Sequence, residues 1–344
     1  MRALLRISRA LAMALCCIAT APWPGAQAAE KSAKPAFKVR ISQSAVSARS
    51  TILWSAQDLG LFAKHGVEAE VVYLRSSPIQ MTALGTGEVQ FAASGGSPVL
   101  GAAAAGQDIK IIASPSNRLS YDLVVRPEIK EAKDLRGKRF GITSIGGTVW
   151  MAAYLALEHL GLDANRDQIR INAIGNQTIL AQAIETAQID ATLLDPFLSR
   201  RTKSKGLPVL IELQRAKIPF TNTAWAVSGS FLRERPETVE AVLKAMLEAQ
   251  AFIAAPANRN AVLQIMARHM KLNDSALLDD GYQDLLVGLE PKPYAALDGS
   301  RNIQRIMSTI NANAVRGKVE DIIDNRIVRK LDESGFIDGL YRKS

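Results

Sequence analysis

The sequence predicts an α/β protein of two lobes, each a mostly parallel sheet flanked by helices, followed by a helical tail. Three observations carry that reading. Short apolar strands alternate with amphipathic helical stretches between about residues 37 and 215; part of that pattern repeats at a fixed offset; and from Arg235 onward the character changes to nearly all helix.

Strands are read at "FKVRIS" (37–42), "EAEVVYL" (68–74), "VQFAAS" (89–94), "IKIIAS" (109–114), "RFGITS" (139–144), "IRINAIG" (169–175), "DATLLD" (190–195) and "LPVLIE" (207–212). Helices fall between them. In "TVWMAAYLALEHLG" the residues Val149, Ala152, Tyr154, Leu155 and Leu160 keep helical spacing, and Gly161 supplies the stop. Residues 79–111 align without a gap on residues 179–211: Ile79 meets Ile179, Thr86 meets Thr186, Val89 meets Ile189 and Gly106 meets Gly206. Two similar parallel units imply two lobes across a cleft, and ligands of open α/β sheets bind beyond the carboxyl ends of the strands.

The chain has 344 residues and a net charge of +9. Its first 28 residues read as a signal peptide: three arginines, the apolar core "LAMALCCIATA", and an Ala26-Gln27-Ala28 cleavage site. An exported, periplasmic protein is expected, with a flexible linker over 29–36. Cleavage would remove both cysteines and three arginines with no acid, lowering the charge to +6. Cys16 and Cys17 lie inside the apolar core rather than after a small-residue box, which argues against a lipid anchor. The remaining basic excess decides nothing by itself.

Four strand-to-helix turns combine glycine or hydroxyl residues with a helix start: "SQSAVSARS" (42–50), "RSSPIQ" (75–80), "SGGSP" (94–98) and "TSIGGTV" (143–149). Glycine lets a ligand approach the backbone, and a helix N-terminus offers unpaired amides and partial positive charge. Serine and threonine there also serve as plain caps, so each turn alone is weak and their concurrence carries the binding reading. "SGGSP" lacks the lysine of a phosphate loop and no GxGxxG follows a strand. Basic residues do not cluster with aromatics, so nucleic acid is not an expected partner.

His65, His159 and His269 have no metal-ligand spacing, so neither a metal nor a cofactor is expected and the chain does not read as an enzyme. Arg49, Arg75 and Arg118 fall in or beside strand-end loops, where a guanidinium can hold a carboxylate or sulfonate; Arg75, ahead of two serines, is preferred. Trp54, Trp150, Phe197 and Trp225 are candidate pocket walls. Phe197 stands out because it occupies a strand-end turn, as the counterpart of Ser97.

The ordered series "LWSAQDLGLFAKHGVEAEVVYL", "MTALGTGEVQFAASGG", "AAAAGQDIKIIAS", "VVRPEIKEAKDLRGKRFGI", "LALEHLGLDANRDQIRI", "IDATLLDPF" and "FLRERPETVEAVLKAMLEA" resembles the substrate-binding proteins of nitrate/sulfonate/taurine-type ABC importers. It is also similar to the related thiamine-precursor-binding and thiamine-precursor-synthesising proteins. The resemblance implies a type II periplasmic binding protein, a monomer that closes two lobes on a small-molecule ligand and delivers it to a membrane permease and its ATPase. It places crossover strands at 121–125 and 223–228. Lobe one is then residues 37–118 with 223–344, including the helical tail, and lobe two is 119–222.

Carried over by position, ligand contacts come from Gln43, Ser44, Ser76, Ser77, Ser94, Gly95, Gly96 and Ser97 in lobe one. Lobe two adds Ser144, Gly146, Gly147, Thr148, Asn176, Asp195 and Phe197, and Arg75 joins them from the loop reading above. The expected ligand is a small organic anion, a sulfonate or carboxylate. Alternatives are a thiamine-pyrimidine binding or biosynthetic protein on the same fold, or a periplasmic sensor subunit. The surface that docks on the importer is expected to be polar and charged rather than apolar.

Overall fold

The structure is a computed structural model that describes residues 37–44, 46–310 and 317–342, without the side chain of Ile310. The expected signal peptide and linker lie outside the described residues. Among the described residues ten strands form two five-stranded sheets: β1 (Phe37–Gln43), β2 (Val67–Tyr73), β3 (Phe91–Ser94), β4 (Ile109–Arg118), β5 (Asp122–Val125), β6 (Arg139–Ile142), β7 (Arg170–Ala173), β8 (Ala191–Leu194), β9 (Val209–Glu212) and β10 (Pro219–Ser228).

The first sheet runs β2-β1-β3-β10-β4 and the second β7-β6-β8-β5-β9. In each, four strands run in one direction and the strand inserted fourth in the order runs antiparallel to both neighbours. Both sheets are therefore mixed, and they share one topology: β1, β2, β3 and β4 stand where β6, β7, β8 and β9 stand. That identity of order matches the repeat read from the sequence.

Local chemistry explains the strands. In β1 Val39 and Ile41 point into the core while Lys38 and Arg40 point out, and the parallel register sets them opposite Glu68 and Glu70 at 3.3 and 3.1 Å. These exposed pairs contribute about 0–1 kcal/mol each, so burial of the apolar alternates stabilises the strand more than the pairs do. Strands β5 and β8 are buried at every residue, as central strands covered on both faces should be.

The chain passes between the sheets twice, side by side. The Leu119 amide donates to the Ile218 carbonyl at 3.2 Å, and the Leu213 amide donates to the Tyr121 carbonyl at 2.9 Å. Strand β10 begins at Pro219, opposite Arg118, ahead of the 223–228 expected, so residues 219–222 belong to a strand of the first sheet.

Helices of the tail pack on both sheets' helices. The helix Pro236–Ala254 buries Val239, Val242, Leu243, Met246 and Leu247 at helical spacing against Thr51–Asp58. Ser275–Gly288 lies against Pro196–Lys203, and Leu297–Ile310 lies against Gly96–Ala104 and β10. Among the described residues no helix is long and apolar enough to cross a membrane.

Candidate functional site

A cleft of about 220 Å³ opens at the carboxyl ends of the parallel strands of both sheets. Of the predicted residues, Gln43, Ser44, Arg75, Ser76, Ser77, Ser94, Gly95, Ser144, Thr148, Asn176 and Asp195 line it. The strand ends deliver them, because each parallel strand stops there and hands the chain to a helix.

Ser76, Gly95, Gly147 and Asp195 are the N-cap residues of Ser77–Gly85, Gly96–Ala104, Thr148–His159 and Pro196–Lys203, and none makes a side-chain cap hydrogen bond. Their first-turn amides are left for another acceptor. Ser228 and Asp274, which cap helices outside the cleft lining, accept from the amides of Phe231 and Leu277 at 3.2 and 3.1 Å, while other helices away from the cleft, such as Pro236–Ala254 and Arg326–Glu333, have no side-chain cap either. Asn176 lines the cleft but spends its side-chain oxygen on a cap, accepting from the Ile179 amide at 3.0 Å.

The turns are held from beneath. Gln80, fully buried, donates to the carbonyls of Ser42 and Ala93 at 3.0 and 3.1 Å and so ties the ends of β1 and β3 together. In the second sheet Gln177 donates to the Leu193 carbonyl at 3.2 Å and accepts from the Asp195 amide at 3.0 Å. Three buried polar atoms of cleft residues have no hydrogen-bond partner among the described residues: Gln43 Oε1, Ser94 Oγ and Asn222 Oδ1. Leaving such groups unpaired costs about 1–3 kcal/mol each, which a polar ligand recovers.

Charge enters through Arg49, Arg75 and Asp195. Arg75 is exposed at the cleft and has no ion-pair or hydrogen-bond partner among the described residues. Arg49 is largely buried: it donates to Ser120 Oγ at 2.9 Å, to the Tyr121 hydroxyl at 3.1 Å and to Asp195 Oδ1, and stacks over the Tyr121 ring at 4.8 Å. Burial would lower the Arg49 pKa, but the Asp195 charge, the electrostatic influence of Tyr121 and the hydrogen bonds to both outweigh it and raise it. Burial, against the opposing Arg49 charge, pushes the Tyr121 hydroxyl up to about 12, so it stays protonated.

Five predicted residues lie elsewhere. Gly96 starts its helix against Thr221, and a Cβ there would overlap the Thr221 side chain. Ser97, the next residue, is buried outside the cleft lining. Gly146 takes φ of +76°, and a Cβ on Gly147 would meet Ser144 Oγ at 2.7 Å, so both serve the tightness of their turn. Phe197 borders a separate chamber of about 40 Å³, with Ile52, Pro115, Leu285 and Leu289, that shares Arg49 and Asp195 with the cleft.

Other candidates resolve as structure. Trp54 is buried and stacks on His269 at 4.9 Å, Trp150 meets Tyr154 edge-on, and Arg118 faces Glu290 at 3.7 Å. Trp225 is fully buried yet borders the cleft. Val46 and Tyr73, both exposed, also line the cleft.

Tyr121 and Asn222 are cleft residues that loop patterns miss, because they belong to the two crossings rather than to strand-to-helix turns. Their place at the edges of "YDLVV" and "TAWAVS" is the signal the sequence offers for them.

Known proteins share parts of this sequence and its fold. A provisionally named binding protein of Brucella abortus (strain 2308) is 27% identical over 252 residues, 72% of this chain and 76% of that protein. A provisionally named aliphatic sulfonates-binding protein of Bacillus subtilis (strain 168) is 28% identical over 187 residues, 53% of this chain and 55% of that protein. The alkanesulfonate-binding protein SsuA from Xanthomonas axonopodis pv. citri, bound to MOPS, superposes with a TM-score of 0.70 at 19% identity, covering 85% of this chain and 99% of that one, and shares its fold. The family described as NMT1/THI5 like matches residues 47–258, more than half of the chain, and this protein belongs to it.

Proposed function

We propose that this protein is a solute-binding receptor that captures a small organic anion, a sulfonate or carboxylate, between its two lobes, residues 37–118 with the returning 223–344 and residues 119–222. It works in the periplasm after loss of residues 1–28 and hands the ligand to a membrane permease with its ATPase. The observation that carries the reading is Arg75, an unpaired guanidinium at a cleft where helix starts from both sheets leave their amides uncapped. Such a site favours negative charge and oxygen acceptors. The sulfonate-binding names of two relatives point the same way.

Binding is the role read from this cleft; His65 and His269 are engaged with Glu248 and Asp58 and lie outside its lining. Ligand stabilises the form it grips from both sides, by its differential affinity for that form. A thermal-shift screen over sulfonates, carboxylates, nitrate and pyrimidines tests the ligand class. Anions should raise the melting temperature, and Arg75→Ala should weaken the best of them by about tenfold or more in calorimetry. Stabilisation by neutral pyrimidines alone contradicts the anion reading.

A further inference from the structure

The Arg49–Asp195 pair joins residues 146 positions apart, one from the turn Ala48–Ser50 and the other from the turn after β8. Asp195 stands at the N-cap of Pro196–Lys203 but does not cap it; its carboxylate faces the guanidinium instead. A negatively charged oxygen on Arg49, next to a helix start, is where an incoming anion would be held.

We propose, resting on the anion reading above, that Asp195 is a resident competitor: its carboxylate must leave Arg49 before a ligand anion can take that guanidinium, and this sets which anions bind. Two places receive the displaced carboxylate. One is its own helix, whose first-turn amides it is positioned to cap. The other is the chamber behind it, walled by Gln214, Ser116 and Ser120, which offer donors. Asp195 meets the guanidinium through one oxygen, Oδ1 on Nη2, so an oxyanion replaces it in kind, whereas a halide, a weaker hydrogen-bond acceptor, does not displace it.

Removing the competitor should tighten binding, the opposite of what loss of a contact residue does. Calorimetric titrations would use acetate, methanesulfonate, butane-1-sulfonate and chloride against the wild type, Asp195→Asn and Asp195→Ala in buffer free of other small anions. Both variants should bind the best organic anion about tenfold more tightly and should also bind chloride. Before ligand is added they should melt lower, because Arg49 is left buried without its partner, and ligand should raise that melting temperature more than it does in the wild type. Binding by the wild type that is unchanged or weaker in both variants overturns the proposal, since Asp195 would then position Arg49 rather than compete for it. Failure of every anion with all three proteins overturns the anion reading itself.

Discussion

The turns after β3 and β8 stand 100 residues apart at the same place in two sheets of one topology, and they do opposite work. After β3 the chain reads Gly95, Gly96, Ser97 and carries no charge; Gly95 lies so close to Thr148, at the helix start after β6, that a Cβ would overlap that side chain. After β8 it reads Asp195, Pro196, Phe197, and Asp195 reaches Arg49 on the first sheet's side. One copy contributes close backbone approach and the other contributes charge. The helices that follow keep the contrast: Leu100 is buried, whereas Arg200, at the matching position, is paired with Asp284 at 2.7 Å and faces Asp280 at 3.4 Å. A repeated topology can thus carry two different turns, because loops vary where strands do not.

Gly95→Val should break the contrast most strongly. A branched side chain against Thr148 holds the two turns apart, and ligand affinity should fall by about tenfold or more while the melting temperature changes little. Calorimetry beside a melting curve checks it; unchanged affinity would show that close approach of these turns is not needed.

Asp284 sharpens the charged side of the comparison. Burial, with Asp122, Asp280 and Asp195 adding to it against the opposing Arg200, lifts its carboxyl to about 6. In the unfolded chain it titrates at about 4. The folded state therefore binds the proton first, gaining stability as pH falls from about 6 to about 4 and losing it as pH rises through about 6. Asp284→Asn should flatten that part of the pH dependence by about 1 kcal/mol, the full shift being discounted for partial exposure. Urea unfolding at both ends of the window measures it, and an undiminished slope would assign the dependence to other groups.

The smallest effect comes from one turn built twice. Gly87 has φ of +77°, and its counterpart Ala187 takes the same left-handed conformation at +59°. Ala187→Gly should stabilise the chain by about 0.5 kcal/mol, relief of left-handed strain exceeding the added unfolded-state entropy. Denaturant midpoints decide it; a loss of stability would mean that the strain is already absorbed by the turn.

Much of the fold is legible in the sequence because it rests on local patterns: apolar runs such as "DATLLD" are strands wherever they are buried on both faces, and the repeat shows that the two sheets share an order. The antiparallel insertion of β5 and β10 rests on pairing between distant segments, which no local pattern records. In the site, serines after strands are legible because strand ends converge. Arg49 with Asp195 is not, since the pair spans 146 positions and forms only when both sheets are in place. The turn that holds Phe197 marks it as a pocket wall, but its ring faces the chamber beside Gly281, at 3.5 Å from where a Cβ there would stand.

Hydrogen–deuterium exchange with and without the best anion of the screen tests the central claim, that one ligand is held by both halves. Protection should appear together at residues 76–77 and 94–97 of the first half and at 144–148 and 176–178 of the second. Protection confined to one half, or lying away from these helix starts, would contradict it.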